Sequence, residues 1–509
     1  MNIQGRYADQ WEEIIRDLET RKTKAREMGG PQKLAAHRAK GRCDARQRIS
    51  LLLDQGSFVE LGTLVGAIPR DGLPAVAADG LVAGFGQIFG RPVLVGSEDF
   101  TSKGGSIGHG THAKRMRLAS LAAQENIPLV MILEGAGERV TNMLQRQSHA
   151  PNDLQGLADL AGRVPTVAAV MGASAGHGAL TAMLTDFTVM TRGAAFFSAG
   201  PPLVAGATGE QVTKEQLGGV DVHVETSGVI YNAYENEHEA FDNIRKYLGY
   251  FPLNAWQRPP VHTSDDGRRE LDQILDLIPP EAFRPYDMGV LARMLCDPDS
   301  LFEVQPAFGA SIITAYGRIA GRPVAIVANQ PMVRAGTVDR AAAQKAARFI
   351  EIADNFHFPF IFLADNPGIM AGTAAEREGT IRSASRMYYA QSRIRGTKIH
   401  VGVRKAFGFG SSLMAMNPYD DQTLTIAFPG ATLGAMPAKG GGKAAGADSE
   451  AREALKAAET SGAYSAADGM NYDEVIDPRQ LRNVLLSALE MSENRLAENV
   501  EPRPGGIRP

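Results

Sequence analysis

Cysteine is nearly absent from this chain of 509 residues, which contains only Cys43 and Cys296. Because these two residues lie far apart and no Cys-x-x-Cys pair occurs, the sequence predicts neither a disulfide framework nor a zinc ribbon. A dense stripe of lysine and arginine is also missing, and the formal net charge is only −4. We therefore expect no nucleic-acid partner.

Long apolar runs are missing too. No stretch approaches the ~18 consecutive apolar residues of a membrane-spanning helix, and the first residues, Met1–Arg6, have no apolar signal core. We therefore expect no membrane partner and a cytoplasmic location. Glycine is abundant instead, at 55 residues, which favours close backbone packing and tight turns over disorder.

Segments in the first half of the chain resemble segments in the second half. Its length of 509 residues already predicts two or more domains. Three pairs of segments match in the same order: Gly90–Val93 with Gly321–Val324, 127–134 with 358–365, and 54–60 with 297–303. The first two pairs share a single offset of 231 in the numbering. Three matches in one order indicate an internal duplication.

Each copy predicts the same alternation of elements. In the second copy, the strand-like residues 322–329 lead through a loop to a helix with apolar residues at 342, 346, 349, 353 and 356, and an apolar strand, 359–363, follows. Repeated strand, helix and strand predict an α/β fold with parallel pairing. Turn-forming residues separate the two copies, and we place the boundary near residue 257.

Small residues follow a predicted strand at the same place in both copies. They form the loop Gly172–Leu180 in the first copy and Lys405–Ser412 in the second, and we align Gly172 with Lys405 at an offset of 233. A strand that enters a helix through small residues leaves backbone N–H groups available for a developing negative charge, such as a thioester enolate. One such loop alone is typical of a plain tight turn, but its recurrence favours a function.

Ordered motifs over nearly the whole chain resemble a known family. They comprise Lys33–Asp54, Ala205–Glu210, Glu215–Asp221, Thr226–Gly228, Asn329–Pro331, Phe349, Asp365–Gly368, Gly372–Thr373 and Arg404–Gly408. Together they resemble the carboxyltransferase β subunit of biotin-dependent acyl-CoA carboxylases, of the propionyl-CoA and acetyl-CoA carboxylase type.

This resemblance implies two tandem crotonase-like (ClpP/crotonase) domains in an α/β fold. Residues 1–257 would form the domain that holds the acyl-CoA, and residues 258–509 the domain that holds carboxybiotin. The first oxyanion hole falls on Gly176 and His177, and the second on Phe409 and Gly410. CO2 would pass from carboxybiotin to the α-carbon of the acyl-CoA through an enolate, with biotin as the base.

The resemblance also places six substrate-binding residues: Gly104, Gly105, Ala136, Gly137, Gly368 and Ser412. A bare turn is the alternative for Gly104 and Gly105. We expect no metal in this chain, because His109 and His112 have no third ligand near them in sequence, and we interpret both as solvated loop residues. Arg139 is expected to form a structural ion pair.

The sequence lacks motifs for carrying biotin and for binding ATP, which indicates partner subunits, and several alternative functions stay open. It has no Ala-Met-Lys-Met biotinyl motif and no ATP-binding motif, so biotin would arrive on a separate biotin carboxylase or carrier subunit. The family suggests a homo-oligomer, a hexamer built as a dimer of trimers. A biotin-dependent decarboxylase is an alternative because the chemistry is reversible, and a crotonase-type hydratase or isomerase would need a paired Glu or Asp near the loops. Departures from the family pattern at His177, Phe409, Ser412 and Pro437 keep a non-catalytic CoA-binding assembly subunit open as well.

Overall fold

A computed structural model describes residues 7–69, 72–144, 152–264, 266–495, 500–503 and 507. The chain divides into two compact units. The first comprises Met1–His223 with Ala233–Leu248, and the second comprises Val224–Asn232 with Gly249–Pro509. The sequence boundary near residue 257 stays a prediction. Among the residues described, no helix is both long and apolar enough to cross a membrane.

The first unit contains an eight-stranded sheet. Its strands are β1 (Val59–Leu61), β2 (Leu81–Ile88), β3 (Arg91–Glu98), β4 (Leu129–Gly135), β5 (Thr166–Ala175), β6 (Phe187–Thr191), β7 (Ala195–Phe197) and β8 (Asn232–Tyr234). The order is β1-β2-β3-β4-β5-β6-β8, and β7 pairs with the end of β5. The strands β1 to β3 pair antiparallel, whereas β3 to β6 pair parallel, as the sequence predicts for the centre of the sheet.

Nine helices surround this sheet in the described part of the first unit. They are α1 (Ala8–Arg26), α2 (Pro31–Arg38), α3 (Ala45–Leu52), α4 (His109–Glu125), α5 (Asp153–Ala158), α6 (His177–Met183), α7 (Pro201–Thr208), α8 (Lys214–Gly218) and α9 (Glu237–Tyr250). Local signals explain the starts of several of them. Asp44 and Gln47 form a reciprocal capping box at the start of α3, and Pro31 occupies the first turn of α2.

The second unit repeats the plan. Its strands are β9 (Phe302–Val304), β10 (Ile312–Ile319), β11 (Arg322–Asn329), β12 (Phe360–Asn366), β13 (Lys398–Phe407), β14 (Leu424–Ala427), β15 (Thr432–Gly434) and β16 (Glu474–Val475). The order is β16-β14-β13-β12-β11-β10-β9, and β15 pairs with the end of β13.

The helices of the second unit enclose a large apolar core. They are α10 (Ile274–Leu277), α11 (Met288–Leu295), α12 (Arg340–Asn355), α13 (Thr373–Glu378), α14 (Thr380–Ser392), α15 (Gly408–Leu413), α16 (Ala438–Ala444), α17 (Ser449–Thr460), α18 (Gly462–Asp468) and α19 (Leu481–Met491). All five apolar positions predicted for the face of α12 are buried, which confirms that the helix packs through this face. The carboxylate of Asp339 accepts a hydrogen bond from the Ala342 amide and so fixes where α12 begins.

The duplication is visible element by element. Strands β2, β3 and β4 and the start of α4 correspond to β10, β11, β12 and the start of α12 at a constant offset of 231. Thr166 pairs with Leu129, and its counterpart Lys398 pairs with Phe360, so β5 and β13 are offset by 232. The offset of 233 from the sequence is therefore wrong by one position. It misjudged the insertion before β13, and Gly176 corresponds to Gly408.

Candidate active site

The first strand-to-helix turn joins β5 to α6 through Gly176. This glycine has φ +55°, a conformation that disfavours any side chain. The amide of Gly176 donates to Phe197 O over 3.1 Å, and its carbonyl accepts the first helical hydrogen bond, from Leu180 N. The amides of His177 and the next two residues precede that donor, so they have no partner inside the helix. The turn thus presents backbone donors next to the side chain of His177.

The predicted acyl-CoA residues of the first unit lie together around this turn. Ala136 N donates to Gly104 O over 3.0 Å, which joins the loop after β4 to the turn after β3. A Cβ at Gly105 would overlap the backbone oxygen of Glu134, so only glycine fits there. A Cβ at Gly137 would lie 3.0 Å from Ala175 O and 3.9 Å from the His177 amide nitrogen. These contacts bring the residues together, while their role in binding CoA stays a prediction.

The second turn joins β13 to α15 through Gly408, whose φ of +54° matches that of Gly176. A Cβ at Gly410 would overlap the side-chain oxygen of Asn366 and lie 2.7 Å from the Cα of Gly368. Gly368 and Gly410 are therefore in contact, as expected for one site. The Phe409 side chain is 45% exposed, and its ring centroid lies 5.4 Å from that of Tyr388.

Ser412 lies further along α15 and is half-buried. Its carbonyl oxygen accepts a hydrogen bond from the side chain of Gln391 in α14. This contact uses the backbone of Ser412 and would survive a change of its side chain. The substrate-binding role of Ser412 stays a prediction.

A carboxylate that the sequence did not point to organises the first site. Asp153, the first residue of α5, is fully buried. One of its oxygens accepts from His112 Nδ1 over 2.8 Å, and the other accepts from His177 Nε2 over 2.9 Å and from Arg115 Nε over 2.6 Å. Burial alone would raise the pKa of Asp153, but its hydrogen bonds to the two histidines and to Arg115 hold that pKa well below the ordinary value. Asp153 is therefore ionised.

The interpretation of His109 and His112 as solvated loop residues is wrong. Both lie in the first turn of α4, where His109 is half-buried and His112 is only 8% exposed. The Nε2 atom of His112 lies 2.9 Å from a carboxylate oxygen of Glu138. Burial lowers the pKa of His112, but the hydrogen bonds to Asp153 and Glu138 outweigh it and raise the pKa overall. Thr111, Arg115 and Leu118, at 3–4 residue spacing, are all buried, so this face of α4 turns inward. Because Thr111 and Arg115 are polar, the apolar periodicity of the sequence did not indicate this face.

Two further carboxylates lie near the ends of the central strands β4 and β12, and each forms ion pairs with two cationic side chains. Glu134, in β4, pairs with Arg48 at 2.7 Å and with Arg42 at 2.8 Å. Its counterpart in the second unit, Asp365 in β12, pairs with Lys405 at 2.6 Å and Arg404 at 3.1 Å. Because ion pairs hold these carboxylates, they support the strand ends and are poorly suited to accept a proton from a substrate.

Arg139 behaves as the sequence predicted. Its guanidinium forms an ion pair with Asp79 at 2.5 Å and donates to the side chain and the carbonyl of Ser106. The ion pair and the two bonds to Ser106 hold the loop after β4 against the segment that precedes α4. Arg139 therefore positions the neighbouring turn.

Comparison with known proteins identifies relatives over almost the whole chain. The family described as the carboxyl transferase domain matches residues 36–506. The chain is 33% identical to the carboxyltransferase subunit of propionyl-CoA carboxylase from Haloferax mediterranei, over 97% of this chain and 99% of that protein. It is 34% identical to the α subunit of methylmalonyl-CoA decarboxylase from Veillonella parvula, over 98% and 99% of the two chains.

A solved structure is similar over the same extent. The crystal structure of transcarboxylase 12S, described as a hexamer with methylmalonyl-CoA and methylmalonic acid bound, has a TM-score of 0.90 at 31% identity and covers 95% of this chain and 96% of its own. The chain therefore belongs to the carboxyl transferase family, with two crotonase-like domains. Within that family it is an acyl-CoA carboxyltransferase of the propionyl-CoA carboxylase type, as the sequence motifs indicated.

Proposed function

We propose that this chain transfers CO2 from carboxybiotin to the α-carbon of a short acyl-CoA, with propionyl-CoA as the first candidate. The observation that carries the proposal is the pair of equivalent turns, each built on a glycine with positive φ and each followed by backbone amides without a helical partner. Two such turns match a reaction in which negative charge develops on two oxygens, one on the thioester and one on the ureido group of biotin.

In the first unit the amides of His177 and Gly178 are the donors we assign to the thioester oxygen. Gly176 contributes the shape of the turn, since its own amide is already bonded to Phe197. Gly104, Gly105, Ala136 and Gly137 border the same turn, and a Cβ at Gly104 would meet open space, which we assign to the CoA chain. Stabilising an enolate oxygen with backbone donors needs no ionisable side chain, which fits the neutralised Glu134.

In the second unit we assign the residues around the second turn to the biotin ring. The amides of Phe409 and Gly410 stand at the start of α15, and the exposed ring of Phe409 beside Tyr388 offers an apolar surface to a fused bicycle. Carboxybiotin, when bound, supplies the CO2 and the base that removes the α proton. The amides of Phe409 and Gly410 would hold the ureido oxygen, and Gly368 is in direct contact with Gly410.

The partners follow from the same proposal. Biotin would arrive on a biotin carboxylase or carrier subunit, and the chain itself would assemble as a hexamer. The hexamer of transcarboxylase 12S, at 31% identity over almost the whole chain, supports this assembly. Decarboxylation is the second candidate, supported by the 34% identity to the decarboxylase subunit from Veillonella parvula, because the same site would run the reaction in either direction.

The test is incorporation of labelled bicarbonate into acetyl-, propionyl- and longer acyl-CoAs by the purified chain with an active biotin carboxylase and carrier subunit and ATP. We expect labelled product, and we expect Gly176→Ala to reduce kcat by about 100-fold or more, because a side chain at Gly176 would misalign the donor amides of His177 and Gly178. Gly193→Ala is the control for strain, because Gly193 also has positive φ and open space around a Cβ but lies outside the turn, before β7.

Each negative result has a distinct meaning. Without labelled product, release of CO2 from methylmalonyl-CoA in the presence of the carrier would assign the decarboxylase function. If neither direction runs although the partner subunit carboxylates its biotin, the chain is a non-catalytic CoA-binding subunit. Equal losses in Gly176→Ala and Gly193→Ala would mean that backbone strain, and not the lost alignment of the amides, explains the effect.

A further inference from the structure

We propose that His112, Glu138 and His177 bind one zinc ion beside the first turn. Each of the three residues offers one ligand atom, and these atoms lie within 4.8 Å of one another. His112 Nε2 and a Glu138 oxygen are already 2.9 Å apart, close to the separation of two ligands on one small metal ion. No local motif predicts this cluster, because the three residues lie on α4, on the loop after β4 and at the start of α6.

Asp153 orients both imidazoles through hydrogen bonds, as carboxylates next to metal sites orient the histidines that bind the metal. It accepts hydrogen bonds from His112 Nδ1 and His177 Nε2, so with both protons on these atoms the remaining nitrogens, His112 Nε2 and His177 Nδ1, carry lone pairs. Asp153 is fully buried and is held in turn by Arg115. Carboxylates that accept the second N–H of a ligating histidine are the usual partners of such histidines.

The donor set selects the metal. Two imidazole nitrogens and one carboxylate are the ligands of many catalytic zinc sites, which keep a fourth position open for water or substrate. The Glu138 side chain is 53% exposed and the His177 side chain 15%, so an ion can enter from solvent. Within the described ranges, no other set of three histidine, cysteine or acidic side chains is arranged in this way.

The second unit serves as an internal control. The residues equivalent to His112, Glu138 and His177 are Ala343, Ile369 and Phe409, none of which binds metal. The backbone is the same in both units, since Ile107 bridges to Glu138 as Val338 bridges to Ile369. The three ligands therefore do not come with the fold. Their presence at all three positions of one unit, and at none in the other, indicates a site specific to the first unit.

The location suggests what the ion does, and this part alone rests on the proposed function. His177 provides one of the amides assigned to the thioester oxygen, so a zinc ion on its side chain lies next to the acyl end of the substrate. The open fourth position would take an oxygen donor of the acyl group, either the thioester oxygen or an oxygen substituent near it. Metal binding itself requires no turnover and is tested without the carrier subunit.

The competing explanation is a hydrogen-bonded chain without metal. His112 would then carry protons on both nitrogens and donate to Asp153 and Glu138 at once, and His177 would donate to Asp153. This arrangement satisfies every contact in the structure, but it gives Glu138 and His177 no affinity for zinc. The two explanations differ in measured metal content and not in activity.

The experiment uses the full chain, stripped with a chelator and titrated with Zn²⁺, or with Co²⁺ as a coloured substitute. We expect about one ion per chain, with the visible bands of a four-coordinate Co²⁺ site. Glu138→Gln and His177→Gln should each weaken binding by about 100-fold or more, since losing a ligand costs at least as much as losing its outer partner. Glu138 is exposed, so its variant is expected to fold normally even if a His112 variant does not.

Two matched controls define specificity. His109→Gln removes the neighbouring histidine of the same helix turn, and Glu125→Gln removes an exposed carboxylate at the far end of α4; both should bind zinc like the unaltered chain. Failure to bind one ion per chain at micromolar free zinc overturns the proposal. Unchanged affinity in both Glu138→Gln and His177→Gln overturns it too, as does loss of binding in His109→Gln. Carboxyltransferase activity enters none of these outcomes.

Discussion

The two strand-to-helix turns share a backbone and differ in what surrounds it. Gly176 and Gly408 have φ values of +55° and +54°, and each follows a ten-residue strand whose end pairs with a short parallel strand. Beside the first turn lie two histidines, a buried aspartate and an arginine, whereas Phe409 and Tyr388 border the second. The turn is therefore the component that both units share, and the side chains around it distinguish the two sites.

A buried lysine contact is the same in both units, which indicates that it supports the fold. Lys114 and Lys345 occupy equivalent positions, and both are buried and donate to the equivalent carbonyls of Leu81 and Ile312. Burial lowers the pKa of each lysine to about 8. A lysine that serves the same backbone contact in both units contributes to the fold and not to the difference between the two sites.

The largest expected effect is a difference in fold stability between the alanine variants of the equivalent glycines Gly178 and Gly410. A Cβ at Gly410 meets the backbone of Gly368 at 2.7 Å, whereas a Cβ at Gly178 meets only the rotatable hydroxyl of Ser174, at 2.6 Å. We expect Gly410→Ala to destabilise the fold by about 3 kcal/mol and Gly178→Ala by less than about 1 kcal/mol. Thermal unfolding midpoints of the two variants measure this, and equal shifts would refute the difference between the turns.

The next largest effect is the loss of stability on replacing His177, which tests the charged residues around the first turn. His177→Phe makes the first turn resemble the second and removes one of the donors to the buried carboxylate of Asp153. We expect a loss of about 2 kcal/mol, because Arg115 and His112 remain to compensate only part of it. Denaturant unfolding at neutral pH measures the loss, with the double variant His177→Phe, Asp153→Asn as control. Asp153→Asn alone completes the double-mutant cycle, and losses that simply add in the double variant would argue that Asp153 does not depend on His177.

A buried histidine in the second unit, which has no counterpart at the equivalent position of the first unit, makes the free energy of unfolding depend on pH. His400 in β13 is fully buried and donates from Nδ1 to Met414 O, while the equivalent residue of β5 is Ala168. Burial lowers the pKa of His400 to about 4, against 6.5 in the unfolded chain. Its stabilising contribution is therefore complete above pH 6.5 and declines as the pH falls towards 4. We expect a loss of about 2 kcal/mol between pH 7.5 and pH 5.

The measurement compares the chain with His400→Gln over this pH range. Groups other than His400 titrate in both proteins, so the difference between their unfolding free energies isolates the histidine. The difference should change by about 2 kcal/mol between the two pH values. Parallel curves for the two proteins would show that the folded state accommodates the charged imidazole at little cost.

The sequence predicted the scaffold well and the first site incompletely. Duplication, parallel pairing and the glycine turns are local or periodic signals, and the apolar face of α12 follows from spacing alone. The cluster around Asp153 is different, because 41 residues separate His112 from Asp153 and 24 separate Asp153 from His177. Such contacts depend on the packing of α4, α5 and α6 and have no signature in local spacing. The one-position error in the offset also arose where an insertion is invisible without the strand register.

The smallest expected effect tests whether one residue suffices to make the units alike. Phe409→His places an imidazole at the position equivalent to His177, but the neighbouring equivalents, Ala343 and Ile369, offer no ligand. Because Phe409 is 45% exposed, the free energy of unfolding should change by no more than about 0.5 kcal/mol. Zinc content should equal that of the unaltered chain, measured on the same titration. A second bound ion in Phe409→His would mean that the turn itself, and not the set of three side chains, creates affinity for metal.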